Sequence, residues 1–148
     1  MTATQWSTVE DKWNFVRQFQ AFVKSGFAFT KFPKWFYQRL SNTFGHIAHY
    51  DQGGFYDNFF RQTAGKVAFV EQCLRWECFG QPEFTFCDAE REIQTWLKDE
   101  DIAGQLRRQL AREIEVGERR LLAQLQAKYQ RAADVEDIEK AQAFTCPS

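Results

Sequence analysis

His46 and His49 are the only imidazoles in the chain, three residues apart in the run His46-Ile47-Ala48-His49. On a helix that spacing puts both on one face, where they could reach a single ion. Asp51 or Asp57 from the adjoining turn would add carboxylate oxygen, and the same groups with Tyr50 have the types needed for general acid/base work. No His-Glu-x-x-His or Glu-x-x-His pattern accompanies the pair, so further ligands stay undefined. The plainer reading is one imidazole bonded across a helix interface and the other in water. A metal-dependent or acid/base enzyme centred on His46 and His49 is therefore an alternative, not the leading expectation.

The cysteines add little to it. Cys73, Cys78 and Cys87 are spaced C-x4-C-x8-C, without the paired Cys-x-x-Cys of a zinc site, and Cys146 lies far downstream. A Cys–His nucleophile would need Cys73 or Cys78 beside His46. An antiparallel helical hairpin places them at opposite ends. Glycine-rich phosphate loops, Gly-x-Ser-x-Gly and the dinucleotide fingerprint are all missing. The expectation is no catalytic residue, no metal and no cofactor, with the thiols structural and partly buried.

Nucleic acid is a second alternative. Lys31, Lys34, Arg39 and Arg61 interleave with Trp35, Tyr37, Tyr50 and Tyr56, a pattern suited to stacking single-strand bases within a charged surround. Four cations over thirty residues is modest, and a net charge of −1 lacks the basic footprint of such proteins. Charge is also uneven. Residues 1–80 carry nine Lys/Arg against six Asp/Glu, and residues 81–148 carry ten against fourteen, too small an asymmetry to name a partner.

The residues best placed for recognition are Trp35, Arg39, Asn42, His46 and His49, spaced 4, 3, 4 and 3, with Tyr50 and Asp51 following. On one helix they form a polar–aromatic seam opposite a core face of Phe36, Leu40, Phe44 and Ile47. Trp, Tyr and Arg are the types enriched at binding hot spots. The competing reading is that the seam packs against another helix.

These side chains need helices to hold them. Ser7-Thr8-Val9-Glu10 reads as a capping box, opening a helix that ends near Lys24-Ser25 with Gly26 as its left-handed C′ residue. Its stripe is Val9, Trp13, Val16, Phe19 and Val23, widened by Phe15 and Phe22. Pro33 suits the first turn of a second helix. Asp51-Gln52-Gly53-Gly54 reads as a turn. A third helix is expected over 55–79 on the stripe Phe55, Phe59, Thr63, Val67, Val70 and Leu74, ended by Gly80-Gln81-Pro82. Phe84 and Phe86 suggest a short packed segment. Asp88 could cap a helix through Leu97, with Ile93, Trp96 and Leu97 inward.

Asp99-Glu100-Asp101 suits the N-terminal end of a last long helix. Its stripe is Ile102, Leu106, Leu110, Ile114, Gly117, Leu121 and Leu125, spaced nearer an eleven- than a seven-residue repeat.

The sequence thus predicts an all-α fold, an aromatic-rich helical bundle of about five helices with a long charged C-terminal helix. Aromatic residues make up 17% of the chain, enough for a large core without metal or disulfide. Residues 1–148 are read as a single helical domain, with 130–148 a frayed or partner-ordered tail. The N-terminus has no apolar signal segment and no run reaches membrane-spanning length, so a cytoplasmic protein without a membrane partner is expected. The leading functional expectation is a small non-catalytic binding or regulatory protein, an adaptor or inhibitor acting through protein–protein interaction. A homodimer through the C-terminal helix is a further expectation.

Overall fold

Helix α1, Val9–Lys24, starts one residue later than its capping box suggests. Thr8 is the N-cap, accepting from the Asp11 amide while Asp11 Oδ2 accepts from the Thr8 amide at 2.8 Å. The Ser7 amide is already satisfied by Thr4 Oγ1 at 2.8 Å, which leaves Thr8–Asp11 to close the reciprocal pair. The helix ends as its glycine predicts. Gly26 has φ +75°, its amide donates to the Val23 carbonyl, and the Phe27 amide donates to the Phe22 carbonyl. This is a Schellman closure, and its apolar clasp is the Phe22–Phe27 ring pair at 5.3 Å.

The computed structural model describes residues 1–44 and 51–145. Six α-helices occur among them, joined by a 3-10 turn at Phe29–Lys31, and no strand is present among the described residues. Helix α2 is Lys34–Thr43, with Pro33 as its N-cap rather than inside its first turn. Phe36, Leu40 and Phe44 are wholly buried, as the wheel expects. Ile47, named for the same face, lies outside the described residues.

Two helices replace the single one expected over 55–79. Helix α3 is Gln52–Phe60 and α4 is Thr63–Arg75. The turn expected at Asp51–Gly54 is instead the opening of α3. Asp51 is its N-cap, with Oδ1 accepting from the Gly54 amide at 2.7 Å, which offsets the low helix propensity of two glycines. The break at Arg61-Gln62 rotates the buried face, so Phe55, Tyr56 and Phe60 are buried before it and Thr63, Phe69, Val70 and Cys73 after it. Phe59, Val67 and Leu74 are left half-buried. Gly65 is required at the junction: a Cβ there would stand 2.8 Å from the Phe59 carbonyl oxygen and 2.9 Å from that of Asn58.

Helix α5 is Cys87–Asp99 and α6 is Ile102–Thr145. The N-cap of α5 is Phe86, not Asp88, whose carboxylate is engaged elsewhere. Phe86 is buried, while Phe84 is 78% exposed, so only half of the expected packed segment is packed.

The core is a mesh of phenylalanines. Phe22 meets Phe27, Phe32, Phe36 and Phe60 with ring centroids 4.8 to 5.6 Å apart. Phe60 meets Phe69 at 4.8 Å. All but the tilted Phe22–Phe32 pair are edge to face, and such pairs add about 0.5–1.5 kcal/mol each beyond the area they bury.

The chain divides into two compact units, residues 1–108 and 109–148. The first holds α1 to α5 and the start of α6. In the second, every described side chain from Ala111 to Gln142 is exposed. Glu115–Arg119 and Glu136–Lys140 pair one turn apart. The helix runs to Thr145, across the stretch for which a frayed or partner-ordered tail is expected. Among the described residues no helix is long and apolar enough to cross a membrane.

Candidate functional site

Trp35, Arg39 and Asn42 fall one turn apart along the solvent side of α2. Packing of Phe36 and Leu40 into the core fixes that orientation. Trp35 is 48% exposed and Asn42 is exposed, while Arg39 is half-buried. The three line a groove of about 860 Å³ whose opposite wall is α1 and the segment before it, including Asp11, Asn14, Gln18 and Trp6. Trp6 is 87% exposed.

Arg39 sits at the centre. Its guanidinium lies 3.9 Å from the centroid of the Phe86 ring, a cation–π contact. Burial pushes its pKa down and Asp11 partly restores it. No ion pair to Arg39 occurs among the described residues. A half-buried cation on an aromatic floor, flanked by two exposed tryptophans, can hold an anionic or planar group of a partner.

A second cavity, about 490 Å³, adjoins the first through Trp6, Ser7, Arg39, Asn42 and Phe86. Its remaining walls are Thr4, Thr43, the loop residues Trp76, Phe79, Phe84 and Thr85, and Glu90 of α5. Gln94 holds this loop, its side-chain amide donating to the carbonyls of Cys73 and Trp76 at 2.8 and 2.7 Å. Those are carbonyls that the end of α4 would otherwise leave unpaired. One turn earlier on α5, Glu90 is buried. Its Oε2 and the Thr43 Oγ1 have no hydrogen-bond partner among the described residues. Burial raises the Glu90 pKa to about 7, against the opposing pull of the Cys78 and Trp76 hydrogen bonds and of Arg91.

Of the residues named from sequence, Trp35, Arg39 and Asn42 come together on one groove. Asp51 is exposed and occupied as the α3 cap. His46, His49 and Tyr50 lie outside the described residues. Among the described residues no cluster of three or more His, Cys, Asp or Glu could hold a metal ion. Cys73 is buried and Cys78 half-buried, with burial driving the first thiol well above its ordinary value and the second to about 12. Among the rings named for base stacking, Tyr56 is buried and donates to the Phe27 carbonyl at 2.6 Å, and Tyr37 packs against Phe32 and Phe55. Arg61 is paired with Asp57 at 2.7 Å.

Sequence reasoning missed Trp6, Glu90 and Thr43. Glu90 carried a signal: it precedes Ile93 and Leu97 by three and seven residues, so a carboxylate stands on the apolar stripe of its helix. Trp6 precedes the first helix and carried none.

Compared with known proteins, the chain matches no family model, no curated protein and no solved structure.

Proposed function

We propose that this protein is a binding module that captures another protein through the groove between α1 and α2, as an adaptor or inhibitor would. The observation that carries this reading is Arg39, half-buried on the Phe86 ring in a groove that Trp35 and Trp6 also line, with no ion pair among the described residues. A half-buried arginine in a groove lined by two exposed indoles has the composition of a hot spot, where a few residues supply most of the affinity. Trp35→Ala with Arg39→Ala is expected to abolish partner capture from an extract of the source organism and leave the melting temperature within a few degrees of wild type. A large drop in melting temperature with capture intact would overturn the reading, since it would make these side chains part of the core.

A second surface supports self-association. Ile114, Leu121 and Leu125, together with Leu122 and Tyr129, are all exposed on the C-terminal helix. Self-pairing of that face would bury them. Sedimentation of the full chain against Leu121→Glu/Leu125→Glu tests it: a dimer that becomes a monomer is expected, and a wild-type monomer at high concentration sinks the idea.

A further inference from the structure

We propose that the groove takes an extended acidic peptide, in which one internal Asp or Glu carboxylate meets Arg39 and apolar side chains on either side of it meet the tryptophans and the loop phenylalanines. The inference rests on the capture reading above and names the chemistry of the captured segment.

Arg39 stands at the junction of the two cavities and lines both. No ion pair to it occurs among the described residues. A cation half withdrawn from water gains most from a charge-assisted contact. Two carboxyls share these cavities without pairing with it. Asp11 Oδ2 is held by the Thr8 amide at 2.8 Å, and Glu90 is buried. A single guanidinium matches a carboxylate, which it can take through two parallel N–H donors. A phosphate is served by clustered arginines. The other arginine of the groove, Arg17, is already engaged by Glu10 and Asn14 at 2.6 and 2.8 Å. Asp11 also lies near enough to act on Arg39, and would repel a second negative charge.

The two cavities place the carboxylate within its chain. Trp6 and Trp35 line the first, and Phe79 and Phe84 line the second. A carboxylate at the junction therefore has open groove and exposed rings to either side, whereas a terminal carboxylate would leave one side empty. Trp6, Phe79 and Phe84 are 87, 64 and 78% exposed, an apolar area that flanking side chains would bury. The loop carrying the phenylalanines is set beforehand. The Thr85 hydroxyl lies 3.2 and 3.0 Å from the carbonyl oxygens of Phe79 and Gln81, and Gly80 makes the turn with φ +82°. Such a loop loses little freedom on binding.

The test is fluorescence anisotropy of labelled nonapeptide pools on the full chain, capped at both ends, with Leu, Phe, Ala and Ser randomised around a fixed centre. The centre is Asp, Glu, Asn, Lys or phosphoserine. The Asp or Glu pool should bind at least about tenfold more tightly than the Asn pool, weaken as salt rises, and lose its advantage in Arg39→Gln. Trp6→Ala and Phe84→Ala, both at exposed rings, should each weaken binding at least about threefold with the melting temperature unchanged. Equal binding of the Asn pool, tightest binding of phosphoserine, a preference that survives Arg39→Gln, or insensitivity to both ring variants would overturn the proposal. So would tighter binding of a neutral pool with a free C-terminus, or no binding of either acidic pool at millimolar concentration. Partner capture is read separately. Capture lost in the Trp35/Arg39 variant, with no pool preferring Asp or Glu, keeps the groove as a capture surface and removes its acidic partner. A preference for Asp or Glu in a chain whose capture does not need Trp35 and Arg39 supports the acidic site and removes the capture reading alone.

Discussion

Lys12 Nζ lies 2.8 Å from Asp88 Oδ1 and 2.8 Å from the Pro82 carbonyl oxygen, inside a chain that otherwise fills its core with phenylalanine. The two partners are not equivalent. The lysine side chain is wholly buried and that of Asp88 is 17% exposed. Asp88 also accepts from the Thr2 and Ala89 amides at 2.9 Å each. Burial alone would raise its pKa, but the Lys12 hydrogen bond and those amides outweigh it and hold the carboxyl below its ordinary value. The pair therefore ties α1, the N-terminal strand of coil and α5 together beneath the groove.

The asymmetry predicts unequal variants. Asp88→Ala strands a buried ammonium with a single carbonyl and should cost about 3–5 kcal/mol. Lys12→Met leaves a carboxylate that keeps two amide donors and some water, and should cost clearly less. Chemical denaturation of both variants checks the order, and equal losses would show the pair is more open than its burial indicates. The sign with pH follows from the lowered Asp88 pKa. Its contribution is present above the unfolded value and is lost as pH falls through the folded one.

A buried lysine on α1 also shows where sequence reading was sound and where it slipped. The stripe from Phe15 to Val23 predicted the helix and most of its core face. Yet Lys12, not Val9, completes that face, because hydropathy cannot anticipate a partner 76 residues away. Gly26 was readable because its backbone constraint is local, and Pro33 marked the start of α2 to within one residue. The break between α3 and α4 was not. Phe55, Phe59, Thr63 and Val67 keep helical spacing straight through it, and only the packing of Gly65 on the Phe59 carbonyl reveals the turn. For the site, a wheel was enough to group Trp35, Arg39 and Asn42. Glu90 and Thr43 needed the loop fold, since their shared cavity exists only once Gln94 has drawn Trp76 over α5.

Gly65 gives the second prediction. Its missing Cβ leaves room for backbone oxygens of α3, which cannot swing aside as a side chain would. Gly65→Ala should destabilise by about 1–3 kcal/mol through overpacking, although alanine is the better helix former. Gly117→Ala is the control, since no atom lies within 4 Å of a Cβ there, and it should be neutral or stabilising by up to about 1 kcal/mol. Thermal melts of the two variants shifting the same way would contradict the close contact.

The thiols give a third. Burial holds Cys73 and Cys78 protonated at neutral pH, Cys78 with a pKa of about 12. The thiolate is the nucleophile, so neither should alkylate appreciably in the native state. Iodoacetamide treatment at pH 8, read by peptide mass, should leave both unmodified until denaturant is added. Rapid native labelling at Cys78 would mean its loop opens readily.

Glu90 provides the last, independent of any ligand. Its carboxyl titrates near 4.5 in the unfolded chain and near 7 in the fold, so the folded state holds a proton that the unfolded state releases earlier. Below pH 4.5 both states are protonated and no penalty arises. As pH rises toward 7 the fold loses stability steadily, by up to about 3 kcal/mol, and the loss levels off above that value. Glu90→Gln removes the titration while keeping the shape. The variant should therefore match wild type near pH 5 and exceed it at pH 8, with the gap opening between those limits. Denaturant midpoints at pH 5, 6, 7 and 8 for both proteins measure that gap. A gap that stays constant with pH would place Glu90 in contact with water and contradict its burial.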